Sequence, residues 1–149
     1  MTERKNKETE PLSTEELFRL FKNSPSLESF LDSHEEIFSD ISTSEYLSQL
    51  LAGRELIKQD VIRDANIERS FGYQIFSGLR NPSRNTLIRL ALTMRLSASE
   101  TQRLLRIAQR GELYIKKRRD AAILYCIYNR LDLIDTDILL ENIGEATLA

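Results

Sequence analysis

Helical periodicity runs through almost the whole chain and leaves little room for any other secondary structure. Apolar residues recur three and four positions apart, and no segment alternates apolar and polar residues as a half-buried strand does. Five glycines and three prolines interrupt 149 residues, and no hairpin dipeptide such as Asn-Gly is present. The pattern predicts an all-α protein of eight or nine short helices.

Serine residues mark most of the predicted helix starts, because a serine hydroxyl can accept a hydrogen bond from a free backbone N–H there. The serines in this position are Ser13, Ser26, Ser42, Ser83 and Ser97. Ser42 with Glu45, and Ser97 with Glu100, also have the spacing of a capping box. Asp135 is predicted to cap the last helix. The helix boundaries are therefore expected from local sequence alone.

Charge is distributed unevenly along the chain, although the formal net charge is only −2. Residues 1–53 carry a net charge of −6, residues 54–119 a net charge of +9, and residues 120–149 a net charge of −5. A basic middle segment between acidic flanks indicates a polyanionic partner for the middle segment. The alternative is a uniformly solvated surface on which these charges pair in three dimensions. The acidic flanks can shield the basic face, dimerise or bind a protein partner.

One stretch combines two short helices with a tight corner. It reads KQDVIRDA (58–65), the corner NI, ERSFGYQIFSG (68–78) and then LRNPSRNTLIRLALTM (79–94). Together with its neighbours, over residues 46–108, it resembles the lambda-repressor-like (Cro- or XRE-type) helix-turn-helix family. Asn66 stands at the corner, where a left-handed residue is needed and where asparagine is tolerated next best to glycine. Val61, Ala65, Ile67 and Ile75 are expected to form the buried seam.

The resemblance implies a fold, a domain organisation and a function. The expected fold is a five-helix lambda-repressor-like core with extra N- and C-terminal helices. The expected segments are a disordered tail (1–12), acidic N-terminal helices (13–41), the helix-turn-helix domain (42–109) and a helical extension (110–149) packed on the core or dimerising beside it. The expected function is sequence-specific binding of double-stranded DNA by a small bacterial transcriptional regulator, with a homodimer as one option. The alternative is a helix-turn-helix fold reused for protein–protein interaction.

Gly72 departs from the family pattern. The family usually has a bulky residue there and a small alanine at the position of Ile62, whereas this chain has the reverse. If the two residues face each other, the exchange conserves buried volume, which protein cores tolerate best. Phe71 and Tyr73 flank Gly72 and are expected to point partly outward, where a ring can pack on a thymine methyl group. The alternative is that one ring folds back beside Gly72, and this alternative weighs more for Phe71 than for Tyr73.

By the resemblance, helix 58–65 lies across the DNA backbone and helix 68–77 enters the major groove. Arg69 is then suited to guanine and Gln74 to adenine or to a phosphate, while Arg80, Asn81 and Arg84 are expected to clamp the backbone. Glu68 opposes phosphate, so capping of its own helix is the favoured role. The complete set of predicted DNA-binding residues is Lys58, Arg69, Ser70, Phe71, Tyr73, Gln74, Ser77, Arg80, Asn81 and Arg84.

Other chemistries find no support in the sequence. No nucleophile–base arrangement, glycine-rich phosphate loop or metal-ligand spacing is present, so no enzyme activity, cofactor or metal site is expected. Cys126 is expected to be a buried small apolar side chain, and His34 to lie on the surface. The polar N-terminus and the lack of a long apolar run predict no membrane partner, and a single cysteine, which cannot form an internal disulfide, favours the reducing cytoplasm. The run of residues 116–119, KKRR, is expected to be a solvated basic loop or a second phosphate contact.

Overall fold

The computed structural model describes residues 12–38 and 41–149, without the side chain of Glu36. All regular structure in these residues is helical, which confirms the all-α prediction. The described residues form nine α-helices and, after α2, a 3₁₀ turn (Glu35–Phe38): α1 (Thr14–Asn23), α2 (Leu27–Ser33), α3 (Thr43–Gly53), α4 (Lys58–Asp64), α5 (Arg69–Ser77), α6 (Arg84–Thr93), α7 (Ala98–Ile107), α8 (Arg118–Tyr128) and α9 (Leu133–Asn142). Of the predicted tail, residues 1–12, only Leu12 is among the described residues.

Every predicted serine cap is present. In each case the hydroxyl oxygen accepts a hydrogen bond from the backbone N–H three residues further on. The reciprocal bond that completes a capping box forms at Ser97 with Glu100, whereas Ser42 and Glu45 show the serine half of the box. The prediction for the last helix was wrong by one turn, because Asp132 caps α9 and Asp135 donates its backbone N–H to that cap.

Five helices end on a residue in the left-handed conformation that is not glycine. These residues are Glu55, Asn66, Arg95, Gln109 and Arg130, with φ between 54° and 58°. The N–H of the residue after each one returns to a carbonyl of the last helical turn, as Ile67 does to Ile62 at 3.1 Å. Four of these following residues are apolar (Leu56, Ile67, Leu96 and Leu131). Ile67 and Leu96 are buried in the core, whereas Leu56 is exposed and Leu131 is partly buried, so two of these four corners direct an apolar side chain into the core.

The chain divides into two compact units at residue 40. In the first unit, Phe30 is the one described residue that is buried, and its ring meets Phe21 edge-on with the centroids 5.3 Å apart. His34 is half-buried rather than on the surface as predicted. Its ring lies 4.6 Å from that of Phe30, and Nδ1 lies 2.9 Å from the Phe30 carbonyl oxygen. No residue of α1 is buried, although its apolar residues share one side.

The second unit, residues 41–149, has one hydrophobic core to which the C-terminal helices belong. Helix α8 packs on α7 and α9, and α9 also packs on α6. Ile123, Leu140 and Leu148 have no exposed surface. Arg89 donates from Nη1 to the carbonyl oxygen of Leu148 at 2.8 Å, which fixes the segment after α9 against α6. Residues 110–149 are thus built into the same core as residues 42–109.

Cys126 lies in this core with no exposed surface, as predicted. Burial raises the pKa of its thiol, because a thiolate is poorly solvated away from water. Among the described helices, none is both long enough and apolar enough for a bilayer crossing.

Candidate nucleic-acid interface

The corner between α4 and α5 has the geometry that its sequence predicts. Asn66 is left-handed, with φ of 56°, and Ala65 and Ile67 on either side of it are buried. Val61 on α4 and Ile75 on α5 are buried as well, so all four predicted seam residues face inward. Two short helices are therefore joined by a tight corner whose flanking residues are buried in the core.

Gly72 and Ile62 meet across this seam. A Cβ placed on Gly72 would lie 2.8 Å from Cγ1 and 2.9 Å from Cδ1 of Ile62, and nearer still to its Cγ2. Both residues are buried. The isoleucine therefore fills the space that a side chain at position 72 would occupy, which confirms that the two residues face each other.

Glu68 caps α5 with both carboxylate oxygens. Oε2 accepts from the backbone N–H of Phe71 at 2.8 Å, and Oε1 accepts from that of Ser70 at 3.0 Å. These two hydrogen bonds, the one from Phe71 first, lower the pKa of the Glu68 carboxyl. The capping role predicted for Glu68 is confirmed, and the N–H groups at the start of α5 are occupied by a side chain.

The outer face of α5 is polar and carries most of the predicted contacts. Arg69, Ser70 and Ser77 are exposed, Tyr73 is 38% exposed, and Gln74 is half-buried. The opposite side of α5 is buried and consists of Gly72, Ile75 and Phe76. The two sides follow helical spacing, so the helix presents one continuous polar face.

Phe71 does not belong to that face. It is partly buried and packs against the hydrophobic core of the unit. The inward alternative therefore holds for Phe71, although the space beside Gly72 is filled by Ile62 rather than by this ring. Phe71 is accordingly removed from the candidate interface, while Tyr73 stays in it.

Three cations gather around α5. The Lys58 Nζ lies 5.6 Å from the centre of the Phe76 ring, and the Arg69 guanidinium carbon lies 5.9 Å from the centre of the Tyr73 ring. Arg80 donates from Nε to the Gln74 side-chain oxygen at 3.1 Å. Among the described residues, none of the three cations takes part in a salt bridge. Their charges remain available to a polyanion.

Arg84, predicted to clamp DNA, is directed into the protein instead. Its two terminal nitrogens donate to the two carboxylate oxygens of Asp120 at 3.0 and 2.9 Å. It also donates to the carbonyl oxygens of Gly111 and Glu112, at 3.1 and 2.9 Å. This arginine therefore organises the loop between α7 and α8, and it is removed from the candidate interface.

Asp120 was missed by the sequence reasoning. Its side chain is 4% exposed. Burial alone would raise its pKa, but the hydrogen bonds from Arg84 and from the Tyr114 backbone N–H outweigh burial and lower the pKa of this carboxyl. One sequence signal could have identified it, since Asp120 is the only acidic residue between positions 113 and 131.

The loop after α5 is also braced from within. Arg110 donates to the carbonyl oxygens of Pro82, at 2.9 Å, and Asn81, at 3.4 Å. Asn81 itself is exposed. Residues 80 and 81 therefore stand on a supported loop next to the outer face of α5.

No protein-family model, curated protein or solved structure matches this chain.

Most arginines of residues 54–119 have partners within the protein. Arginines in this segment bind carboxylates or carbonyl oxygens, or lie over the Tyr46 ring in the case of Arg103. Besides Arg84, those whose partners are described are Arg54, Arg63, Arg89, Arg95, Arg103, Arg106, Arg110, Arg118 and Arg119. The run at 116–119 is likewise not a single loop, because Arg118 and Arg119 begin α8 and bind carbonyl oxygens near the end of the chain. The basic residues of this segment for which no carboxylate or carbonyl partner is found among the described residues are Lys58, Arg69 and Arg80 around α5, apart from the Arg80 contact to Gln74, and Lys116 and Lys117 in the loop before α8.

A second surface feature lies between α7 and α8. An open groove of about 780 Å³ is lined by residues of both helices and of the loop between them. Tyr114, Ile115, Tyr125 and Tyr128 line it with more than half of their surface exposed. This groove is apolar and aromatic, in contrast to the α5 face.

No cluster of three metal-ligating side chains occurs within the described part of the chain.

Proposed function

We propose that residues 41–149 bind double-stranded DNA sequence-specifically, as part of a small bacterial transcriptional regulator with a lambda-repressor-like helix-turn-helix core formed by α3–α7. In this proposal α4 crosses the sugar-phosphate backbone and α5 enters the major groove. The supporting observation is the combination on α5 of a continuous polar outer face with three surrounding cations, Lys58, Arg69 and Arg80.

The side chains divide into two groups by position. Arg69 and Gln74 lie on the outer face of α5 and are assigned to base edges, with Tyr73 beside them for a thymine methyl group. Lys58 and Asn81 lie at the margins and are assigned to phosphates. Ser70 and Ser77, which carry short hydroxyl groups, suit either partner.

A second candidate function is protein–protein interaction, and the exposed aromatic groove between α7 and α8 favours it. A partner at this groove would contact Tyr125 and Tyr128 and would leave the α5 face free. The two functions are separable, because they use different side chains. A regulator that also binds a protein would use both surfaces.

Selection from a random pool of duplex DNA tests the main proposal. The full chain should enrich a defined sequence, and an inverted repeat among the enriched sequences would show that it binds as a homodimer. A double variant, Arg69→Ala with Gln74→Ala, should lose the enrichment, whereas Tyr125→Ala with Tyr128→Ala should retain it. Binding should also weaken as salt increases, because each neutralised phosphate releases counterions. Enrichment of no sequence, together with binding that salt does not affect, would favour the protein-interaction function.

A further inference from the structure

Gln74 and Arg80 are joined by two hydrogen bonds. The Arg80 Nε donates to Oε1 of Gln74 at 3.1 Å, and the Arg80 backbone N–H donates to the Gln74 backbone carbonyl at 3.2 Å. The left-handed Gly78, with φ of 85°, turns the chain back at the end of α5 and makes this approach possible. The two residues therefore form one local unit on the face of α5 and its following loop.

The orientation of the Gln74 amide follows from the chemistry of its partner. Arginine has only N–H donors, so the amide group must turn its oxygen toward Arg80 and its NH₂ away from it. The nearby positive charge makes this oxygen a poorer site for a further donor group. Arg80 also brings donors of its own, because its terminal nitrogens carry N–H groups and no acceptor. The unit as a whole offers donors.

Adenine and guanine differ in what they require from such a unit. Adenine presents one acceptor and one donor in the major groove, so pairing with glutamine needs both the amide NH₂ and the amide oxygen. Guanine presents two acceptors, N7 and O6. We propose that Gln74 and Arg80 act together as a donor-only unit that selects guanine over adenine, with Arg80 determining what Gln74 reads. This inference rests on the proposed DNA-binding function.

The inference changes the role expected for Arg80. A simple backbone clamp carries no base information, so its loss would lower affinity equally for all sequences. An arginine that holds the Gln74 oxygen does affect base choice. Its removal frees that oxygen, and the glutamine can then pair with adenine through both amide atoms. Loss of a cation should therefore change which base is preferred.

The test measures binding of the full chain to the enriched duplex and to its single-base variants. The position at which Gln74→Ala abolishes the preference is the base pair that Gln74 reads. There the unaltered chain should prefer guanine to adenine by roughly 5- to 150-fold, the range of one good bidentate contact. Arg80→Ala should reduce this ratio by about 5-fold or more, toward adenine, and leave the ratios at other positions unchanged. Arg63→Ala, which removes another exposed cation, on α4, should change no ratio. An adenine preference in the unaltered chain, or a ratio that survives Arg80→Ala, would overturn the inference.

A measurement on the free protein tests the pairing of Gln74 with Arg80 independently of the proposed DNA-binding function. In ¹⁵N NMR spectra of the free protein, the Arg80 Nε–H should exchange with water more slowly than the Arg69 Nε–H, and Arg80→Ala should shift the Gln74 side-chain NH₂ signals. If the two residues prove unpaired, the inference fails while DNA binding can stand. If they are paired but the chain enriches no DNA sequence, the proposed function fails and the inference fails with it.

Discussion

Gly72 on α5 lies directly against Ile62 on α4, so closely that a Cβ at position 72 would overlap the branched side chain of the isoleucine. Since Ile62 is 2% exposed and branched at its own Cβ, it has little freedom to move aside. The glycine thus exists in the middle of a helix because its partner occupies the shared space. Glycine costs about 1 kcal/mol of helix stability relative to alanine, but a larger residue at this position would collide with Ile62.

Gly72→Ala should therefore destabilise the protein, against the usual benefit of alanine in a helix. We expect a loss of about 1–3 kcal/mol in the free energy of unfolding from overpacking. The matched control is Gly53→Ala at the end of α3, where nothing lies within 4 Å of the added Cβ. That control should be neutral or stabilising by up to about 1 kcal/mol. Urea denaturation of both variants gives the comparison, and stabilisation by Gly72→Ala would contradict the close contact.

The same contact predicts strong coupling between the two positions. Gly72→Ile alone should cost at least about 1–3 kcal/mol. Ile62→Ala alone should cost about 2–5 kcal/mol through the cavity it leaves. The double variant restores the volume and should be more stable than the sum of the two losses implies. A double-mutant cycle measures this difference, and additive losses would show that the residues do not share one space.

Asn66 should tolerate glycine but not a β-branched residue. In the left-handed conformation, with φ of 56°, an ordinary side chain costs roughly 1–2 kcal/mol, and asparagine costs less. Asn66→Gly should therefore be neutral or slightly stabilising, while Asn66→Val should lower the free energy of unfolding by roughly 1–2 kcal/mol or more. Gln59→Val, on the exposed side of α4, is the control and should cost less than about 0.7 kcal/mol. Equal losses for the two valine variants would argue against a strained corner.

The contribution of Asp120 to the free energy of unfolding should depend on pH. Because its pKa is lowered in the folded protein, its stabilisation is present above the ordinary pKa of an aspartate, about 4, and is lost as the pH falls through the lowered value. Asp120→Asn should cost about 3 kcal/mol at pH 7, since it leaves the half-buried Arg84 without its counter-charge. The gap between the two proteins should narrow below pH 4.

Urea midpoints at pH 7 and at low pH measure this gap. The comparison must be a difference between the two proteins, because the pKa values of Glu68 and Glu100 are also lowered and the unaltered protein loses stability over the same range. Asp60→Asn removes an exposed partner of Arg63 and should change stability by less than about 1 kcal/mol. A gap that stays constant with pH would mean that the Asp120 carboxylate charge is not what stabilises the loop.

Removal of residues 1–40 should strengthen binding to duplex DNA. These residues carry a net charge of −5 and belong to a unit of their own, whereas residues 41–149 keep their complete core. The effect should be largest at low salt and vanish as salt screens the acidic segment, because the Debye length falls to about 3 Å at 1 M. Fluorescence anisotropy with a labelled duplex compares the two chains. A fragment that ends at residue 119 is unsuitable, because it lacks Ile123 and Leu140 from the core.

Arg69 and Lys58 should differ in what their loss does to DNA binding. Arg69→Ala should remove about 1–3 kcal/mol of discrimination at one base pair, because the proposed bidentate contact to guanine is lost. Lys58→Ala should weaken binding to every sequence and reduce the salt slope by about one unit. Arg63→Ala controls for net charge, since Arg63 is already paired with Asp60 and Asp64. If Arg69→Ala leaves the ranking of single-base operator variants unchanged, α5 does not read the bases as proposed.

The sequence by itself determined the local features of this protein. The serine caps, the left-handed corner at Asn66, the cap at Glu68 and the helix end at Gly78 depend on atoms a few residues apart, so their signals are complete within a short stretch. The contact between Gly72 and Ile62 could also be predicted from the sequence, because the two residues lie on adjacent helices joined by a short corner.

Only the tertiary structure decided which charges face solvent. Arg84 and Arg80 stand four positions apart in the sequence and look alike, yet Arg84 binds Asp120, which is 36 residues away, and Arg80 binds Gln74 on the outer face of α5. The tertiary structure also decided the position of Phe71, which packs against the core. It decided as well that apolar side chains of residues 110–149 belong to the same core as residues 42–109. These partners come from segments that are distant in the sequence. The energy of an ion pair depends on the distance between its charges, and that of a buried ring on its packing contacts, and neither follows from sequence spacing.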